Sequence, residues 1–238
     1  MELTGGMSII QTFVLDCDCG ARVETQCCLS INAERHPQLR DALLDRTLHQ
    51  FTCGACGAAL HVEKKLAYLD LPRGELYSVA PERDRGDERA LAEDTVAAWQ
   101  LAFGRQAPVA VGALFDSERF RVRLCFGLEE LREKVVARDA GLDDLALEIV
   151  KAELMAGNAE WAARGVRTLR LDHVEPDGRL AFLLERASEP PSVLDVGVVA
   201  ERARHDELAR APWRDLLAGH PGIAWGPHVS LLRLAPPV

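Results

Sequence analysis

No stretch of this sequence approaches the roughly 18 consecutive apolar residues that a membrane-spanning helix needs, so no helical membrane span is expected. Positive charge is also scarce. Lys and Arg together number 28 against 37 Asp and Glu, a formal net charge of −9. Neither half of the chain is basic. The counterion-release energy that drives phosphate binding is therefore lacking, and nucleic acid and anionic lipid are not the expected partners. Met1 to Ile10 show no basic segment followed by a long apolar one, so no secretory signal is read and a cytoplasmic location is expected. Catalytic signatures are missing as well: there is no G-x-S-x-G, no H-E-x-x-H and no G-x-x-x-x-G-K-[ST]. No internal repeat and no extended low-complexity tract is present.

What is present is an ordinary globular composition, with 48% hydrophobic and 27% charged residues in a chain of 238, long enough for one or two domains. Strands are expected over residues 9–15, 21–31 and 58–70. Pro37 at a helix start, with Leu39, Leu43 and Leu44 behind it, predicts a short helix at 37–45. A second helix, 90–103, carries Ala92, Val96, Trp99 and Phe103 along one stripe. Residues 119–126 alternate, with Phe120, Val122, Leu124 and Phe126 on one face and Arg119, Arg121, Arg123 and Cys125 on the other. A helix at 128–139 ends at Gly141, and another begins at Asp143 and Asp144, where acidic charge suits the helix dipole, and runs to about Met155. Pro176-Asp177-Gly178 predicts a hairpin between strands 166–172 and 179–185. A helix over 195–210 and a last strand from Val229 to Leu234 complete the reading. The expected fold class is α+β. A zinc-ribbon-like N-terminal β module with a short inserted helix spans 1–85. It is fused to a mixed α/β body with antiparallel strands over 86–238, of which 190–238 is a C-terminal extension.

The chain has seven cysteines, an odd number. Without a leader the natural setting is a reducing one, where clustered thiols read as metal ligands before they read as disulfides. In Cys53-Gly54-Ala55-Cys56-Gly57 two thiols separated by two residues can face one ion from a tight turn, and the glycine that follows supplies permissive backbone. Cys17-Asp18-Cys19-Gly20 is the matching pair, with a shorter gap that remains feasible because side chains at i and i+2 of a strand share a face. Four thiolates at about 2.3 Å from the ion would close the shell of a structural zinc site, and the same ligands also suit iron. Two alternatives stand beside this reading. One takes Cys17 or Cys19 together with His36, His49 or His61; the other has no metal, with Cys53 and Cys56 a redox pair, merely buried thiols or the relic of a site that has lost its partners. Cys27 and Cys28 are adjacent and point to opposite strand faces, so at least one is expected in the core, and Cys125 is expected as a packed thiol.

The segment from Cys17 to about Pro81 resembles the CpXC domain, a bacterial and archaeal domain named for two Cys-Pro-x-Cys motifs. The resemblance is carried by Cys17 to Gly20, by INAERHPQLRDALLDRTLHQFTCGACG ending at Gly57, and by LAYLDLPRGELYSVAPE. RVRLCFGLEELREKVVARDAGLDDLALEIVKAEL, residues 121–154, is similar to the body of longer members. The resemblance implies a metal-binding N-terminal region and supplies no activity. This chain has neither proline: Asp18 follows Cys17 and Gly54 follows Cys53.

Elsewhere, bland readings compete well with chemical ones. Glu129, Glu130 and Glu133 read as a solvated helix face rather than a carboxylate site. Asp143, Asp144 and Glu148 could bind a cation, but helix-start charges explain the first two. His173, His205, His220 and His228 have no evident partners in the sequence, and Trp161, Trp213 and Trp225 read as core or groove anchors. The row Arg119, Arg121, Arg123 is the best place for an acidic partner or a phosphate, or else a solvent face paired with carboxylates. The leading expectation is a zinc-binding, non-enzymatic protein-interaction or adaptor module with Cys17, Cys19, Cys53 and Cys56 as ligands and another protein as partner. Its rivals are an enzyme with a site in the C-terminal body, a nucleic-acid-binding zinc ribbon and a thiol redox sensor.

Overall fold

The computed structural model describes residues 8–103, 120–186 and 194–234. The chain is mixed α and β, with its strands in five sheets and seven α-helices among the described residues. It divides into two compact units, Met1–Leu131 and Arg132–Val238. None of the helices described is long and apolar enough to cross a membrane.

The first unit opens with a hairpin of β1 (Ile10–Asp16) and β2 (Arg22–Cys28), in antiparallel register from Ile10 opposite Cys28 to Asp16 opposite Arg22. After β3 (Ser30–Asn32) comes helix α1 (Pro37–Leu44), with proline in the first turn, where the missing N–H costs nothing. β4 (Gln50–Thr52) and β5 (Ala59–His61) form a short antiparallel pair around the second cysteine turn. β6 (Leu66–Asp70), β7 (Glu75–Ala80) and β8 (Arg121–Phe126) complete a four-stranded sheet of order β3-β6-β7-β8. Its outer pairings are parallel and its central one antiparallel. Helix α2 (Glu88–Phe103) contributes Ala92 to an apolar cluster with Ala80, Leu124 and Phe126.

Several readings of this unit change, and the strand expected over 58–70 is broken in two: Ala59–His61 pairs with β4 while Leu66–Asp70 joins the four-stranded sheet. Strand β7 had no counterpart in the sequence reading: its buried positions Glu75, Tyr77 and Val79 alternate with half-buried Leu76 and Ser78, and a carboxylate and a phenol on the inward side mask the apolar period. The α2 stripe is displaced, because Ala92 and Thr95 are the buried pair while Val96 is 36% exposed. Glu129 and Glu130 do not form a solvated face. Arg46 reaches Glu129 at 3.1 Å, and fully buried Glu130 takes Arg85 at 3.0 Å. Their partners lie far away in the chain, out of reach of any local pattern. In the arginine row, Arg121 and Arg123 stand on β8 opposite Glu75 and Tyr77 of β7, and Arg119 lies outside the described residues.

Helix α3 (Gly127–Asp139) carries the chain into the second unit, which continues with α4 (Asp144–Gly157) and α5 (Ala159–Ala163). A meander of β9 (Val166–Val174), β10 (Leu180–Arg186) and β11 (Leu194–Ala200) follows, antiparallel throughout. The predicted hairpin is present, turning at Gly178 with φ 90°. Helices α6 (Arg202–Ala209) and α7 (Trp213–Gly219) and a two-residue pair, β12 (Ala224–Trp225) with β13 (His228–Val229), complete the unit. Leu145 and Ile149 of α4 belong to one core with Trp161, Leu169, Leu171 and Phe182.

Here residues 195–200, the first part of the helix expected over 195–210, lie in the strand Leu194–Ala200. Helix begins only at Arg202, because Val198 and Val199 favour the extended state and Gly197 lets the backbone pass close to the Phe182 carbonyl. The expected final strand reduces to His228–Val229, and Leu231–Leu234 is a 3₁₀ turn. Trp161 is in the core, but Trp213 and Trp225 are 36% and 38% exposed. Glu133, the third member of the acidic run, is 1% exposed and bound to Lys151 and Arg170.

Candidate metal centre

Both cysteine turns are built on the same closing bonds. Strand β1 delivers Cys17, whose carbonyl accepts from Gly20 N–H at 2.8 Å and whose N–H donates to Ala21 at 2.9 Å. Strand β4 delivers Cys53, whose carbonyl accepts from Gly57 N–H at 2.8 Å and whose N–H donates to Ala58 at 2.8 Å. Each turn reverses at a glycine of positive φ, 85° at Gly20 and 76° at Gly57, where a side chain would be strained. The first knuckle thus performs the same closure with one residue fewer. That resolves how Cys17-Asp18-Cys19 can match a Cys-x-x-Cys partner.

The hairpin and the β4–β5 pair bring all four sulfurs together. Cys17 Sγ lies 3.6 Å from Cys56 Sγ, and Cys19 Sγ lies 3.7 Å from Cys53 Sγ. The four ligand atoms are all within 4.8 Å of one another, and no other such group of three or more His, Cys, Asp or Glu occurs among the described residues. A tetrahedral shell with metal–sulfur bonds of about 2.3 Å has sulfur–sulfur edges of about 3.8 Å, so the donor set fits one tetrahedral, thiophilic ion with little adjustment. Cys17 and Cys53 are buried, whereas Cys19 and Cys56 face solvent. Backbone N–H groups of Cys56 and Ala55 point at the Cys53 sulfur and bring its thiol down to about 6. At Cys17 a single such donor, Cys19 N–H, is outweighed by the neighbouring thiols and burial, and the thiol is pushed up to about 12.

Two of the three histidines weighed as ligands, His36 and His49, are engaged elsewhere, and none of the three joins the four-sulfur group. His49 Nε2 accepts from the Cys28 N–H at 3.0 Å and meets Cys28 Sγ at 3.2 Å, while His36 contacts Ser8 Oγ at 3.0 Å. Burial pushes the Cys28 thiol up to about 11 and, with His61, pulls His49 down, so this pair sits neutral inside the unit. It is a structural clip, not an activated nucleophile. Nothing in the sequence announced it, since its members are 21 residues apart. Cys27, Cys28 and Cys125 are all buried.

A family profile described as CpXC protein matches residues 15–151, more than half of the chain. The chain belongs to the CpXC family. Searches of curated proteins and of solved structures gave no match. The CpXC match begins two residues before Cys17, takes in both knuckles and the four-stranded sheet, and ends inside α4. In this CpXC chain the residue after the first cysteine of each knuckle is Asp18 or Gly54, and the knuckles close through the bonds of Cys17 with Gly20 and Ala21 and of Cys53 with Gly57 and Ala58.

Proposed function

We propose that Cys17, Cys19, Cys53 and Cys56 hold one structural zinc ion in a zinc-ribbon-like module, and that this cytoplasmic CpXC protein acts as a non-enzymatic interaction or adaptor module for another protein. The observation that carries the metal reading is the set of four sulfurs at tetrahedral-edge spacing. Four thiolates leave no open coordination position for substrate or water, and their donated charge makes the ion a poor Lewis acid, so the metal acts as a staple. It closes the chain between residues 17 and 56, and binding energy there becomes folding energy. An adaptor role is supported by the hairpin that carries the first knuckle, which leaves Ile9, Ile10 and Val14 exposed at 58%, 53% and 48%. The net charge of −9 argues against a nucleic-acid ribbon.

Elemental analysis of protein purified without chelator tests the reading. One zinc per chain is expected, and none in Cys53→Ser with Cys56→Ser. Iron in its place would overturn the choice of metal, and a metal-free native chain would overturn the site.

A further inference from the structure

The same four thiols have a second chemistry available to them. Four cysteines allow three ways of forming two disulfides. Pairing within each knuckle requires a Cys17–Cys19 bond closed over Asp18 alone, a ring too small for relaxed disulfide geometry. Pairing Cys17 with Cys53 joins the two buried sulfurs and leaves the two exposed ones to each other, so the first bond has no thiol that an oxidant can reach. The third arrangement joins Cys17 to Cys56 and Cys19 to Cys53. These are the contacts at 3.6 and 3.7 Å, and each sets one exposed sulfur against one buried sulfur from the opposite knuckle.

We infer that the site is a peroxide-sensitive switch whose oxidised form carries the disulfides Cys17–Cys56 and Cys19–Cys53. The loss of metal on oxidation rests on the structural-metal reading above; the pairing does not. Hydrogen peroxide is the oxidant. The exposed thiolate of Cys56, or of Cys19, attacks one peroxide oxygen; a sulfur–oxygen bond forms, the oxygen–oxygen bond breaks and hydroxide leaves. The buried thiolate across the site then attacks that sulfenic sulfur; the sulfur–sulfur bond forms and a second hydroxide leaves. Each disulfide thus consumes one peroxide, which gains the two electrons the sulfurs lose. Completion removes all four negative charges from the donor set, and the ion is released. Because both new bonds run between knuckles, the chain between 17 and 56 stays closed. Oxidation exchanges one cross-link for two.

The test uses the full chain, zinc-loaded, with two equivalents of hydrogen peroxide per site. Released zinc is counted with a chromogenic chelator, and disulfides are mapped by mass spectrometry without reduction. Cleavage before Asp18 separates Cys17 from Cys19, and fragmentation between Cys53 and Cys56 assigns the rest. The expected result is one zinc released per chain, both cross-knuckle bonds, retained amide protection in β1 to β5, and recovery with dithiothreitol and zinc. A Cys53–Cys56 disulfide with Cys17 and Cys19 free, or four intact thiols with zinc still bound, would overturn the inference. A chain that never binds zinc defeats the metal reading, while its disulfide map still decides the pairing. In Cys17→Ser, Cys56 loses its resolving partner, and a trappable sulfenic acid at Cys56 is the expected product; a variant that does not fold leaves the native-chain map as the deciding measurement.

Discussion

Glu133 has only 1% of its surface exposed, and three donors reach its carboxyl group there: Lys151 at 2.9 Å, Arg170 at 3.2 Å and the Leu171 N–H at 2.8 Å. It is one link in a chain of alternating sign inside the second unit. Asp144 faces Lys134, Lys134 and Lys151 share Glu148, Lys151 and Arg170 share Glu133, and Arg170 and Arg167 share Glu185. Taking such groups out of water is expensive, and removing one partner strands the others. Glu133→Gln should therefore cost about 3 kcal/mol, read as a lowered urea midpoint with an unchanged slope. The pH dependence follows from Glu185. Burial alone would raise its pKa, but the Arg170 and Arg167 guanidiniums outweigh burial and hold it below its ordinary 4.5. A carboxyl depressed on folding stabilises fully above its unfolded value and loses that contribution as pH falls through the folded one. The contribution of Glu185 to the second unit should accordingly be lost as pH falls below about 4.5, and flat thermal midpoints through that range would contradict the assignment.

At the scale of elements, local chemistry decides the junction between α3 and α4. Leu142 N–H bonds to the Ala137 carbonyl at 2.8 Å and Gly141 N–H to the Arg138 carbonyl at 3.1 Å, the paired closure that a left-handed residue makes possible at a helix end. Gly141 supplies it at φ 68°, and Asp143 then caps α4 by accepting from Ala146 N–H at 2.9 Å. No atom lies within 4 Å of where a Gly141 Cβ would sit, so Gly141→Ala meets only the backbone penalty, about 1 kcal/mol by chemical denaturation. Both halves of this junction were legible in Gly141, Asp143 and Asp144. Strands β7 and β11 were not: Glu75 on the buried side of the first masks its apolar period, and the charged residues that follow the second read as helix.

For the whole molecule, the proposed staple acts on the first unit through the segment between residues 17 and 56, which includes β2, β3, α1 and β4. Stripping the metal with a strong chelator should raise amide exchange across β1 to β5, because the hairpin and the β4–β5 pair are two-stranded ribbons with little core of their own. Unaltered exchange there would mean that hydrogen bonding alone holds the knuckles.

By itself the sequence determined what depends on neighbours in the chain. The Cys53-x-x-Cys56 turn, the proline-started α1, the Gly141 stop, the Asp143 cap and the Gly178 hairpin all follow from backbone preference and short-range bonding. The resemblance to CpXC proteins was readable in the same residues. Tertiary structure alone decided which distant groups meet. It set Cys17 against Cys56 across 39 residues, gave His49 to Cys28, and turned an acidic run that looked solvated into buried ion pairs. The physical reason is that a charge or thiol in a sequence has no dielectric of its own; whether it is ligand, ion pair or surface depends on what the fold packs against it.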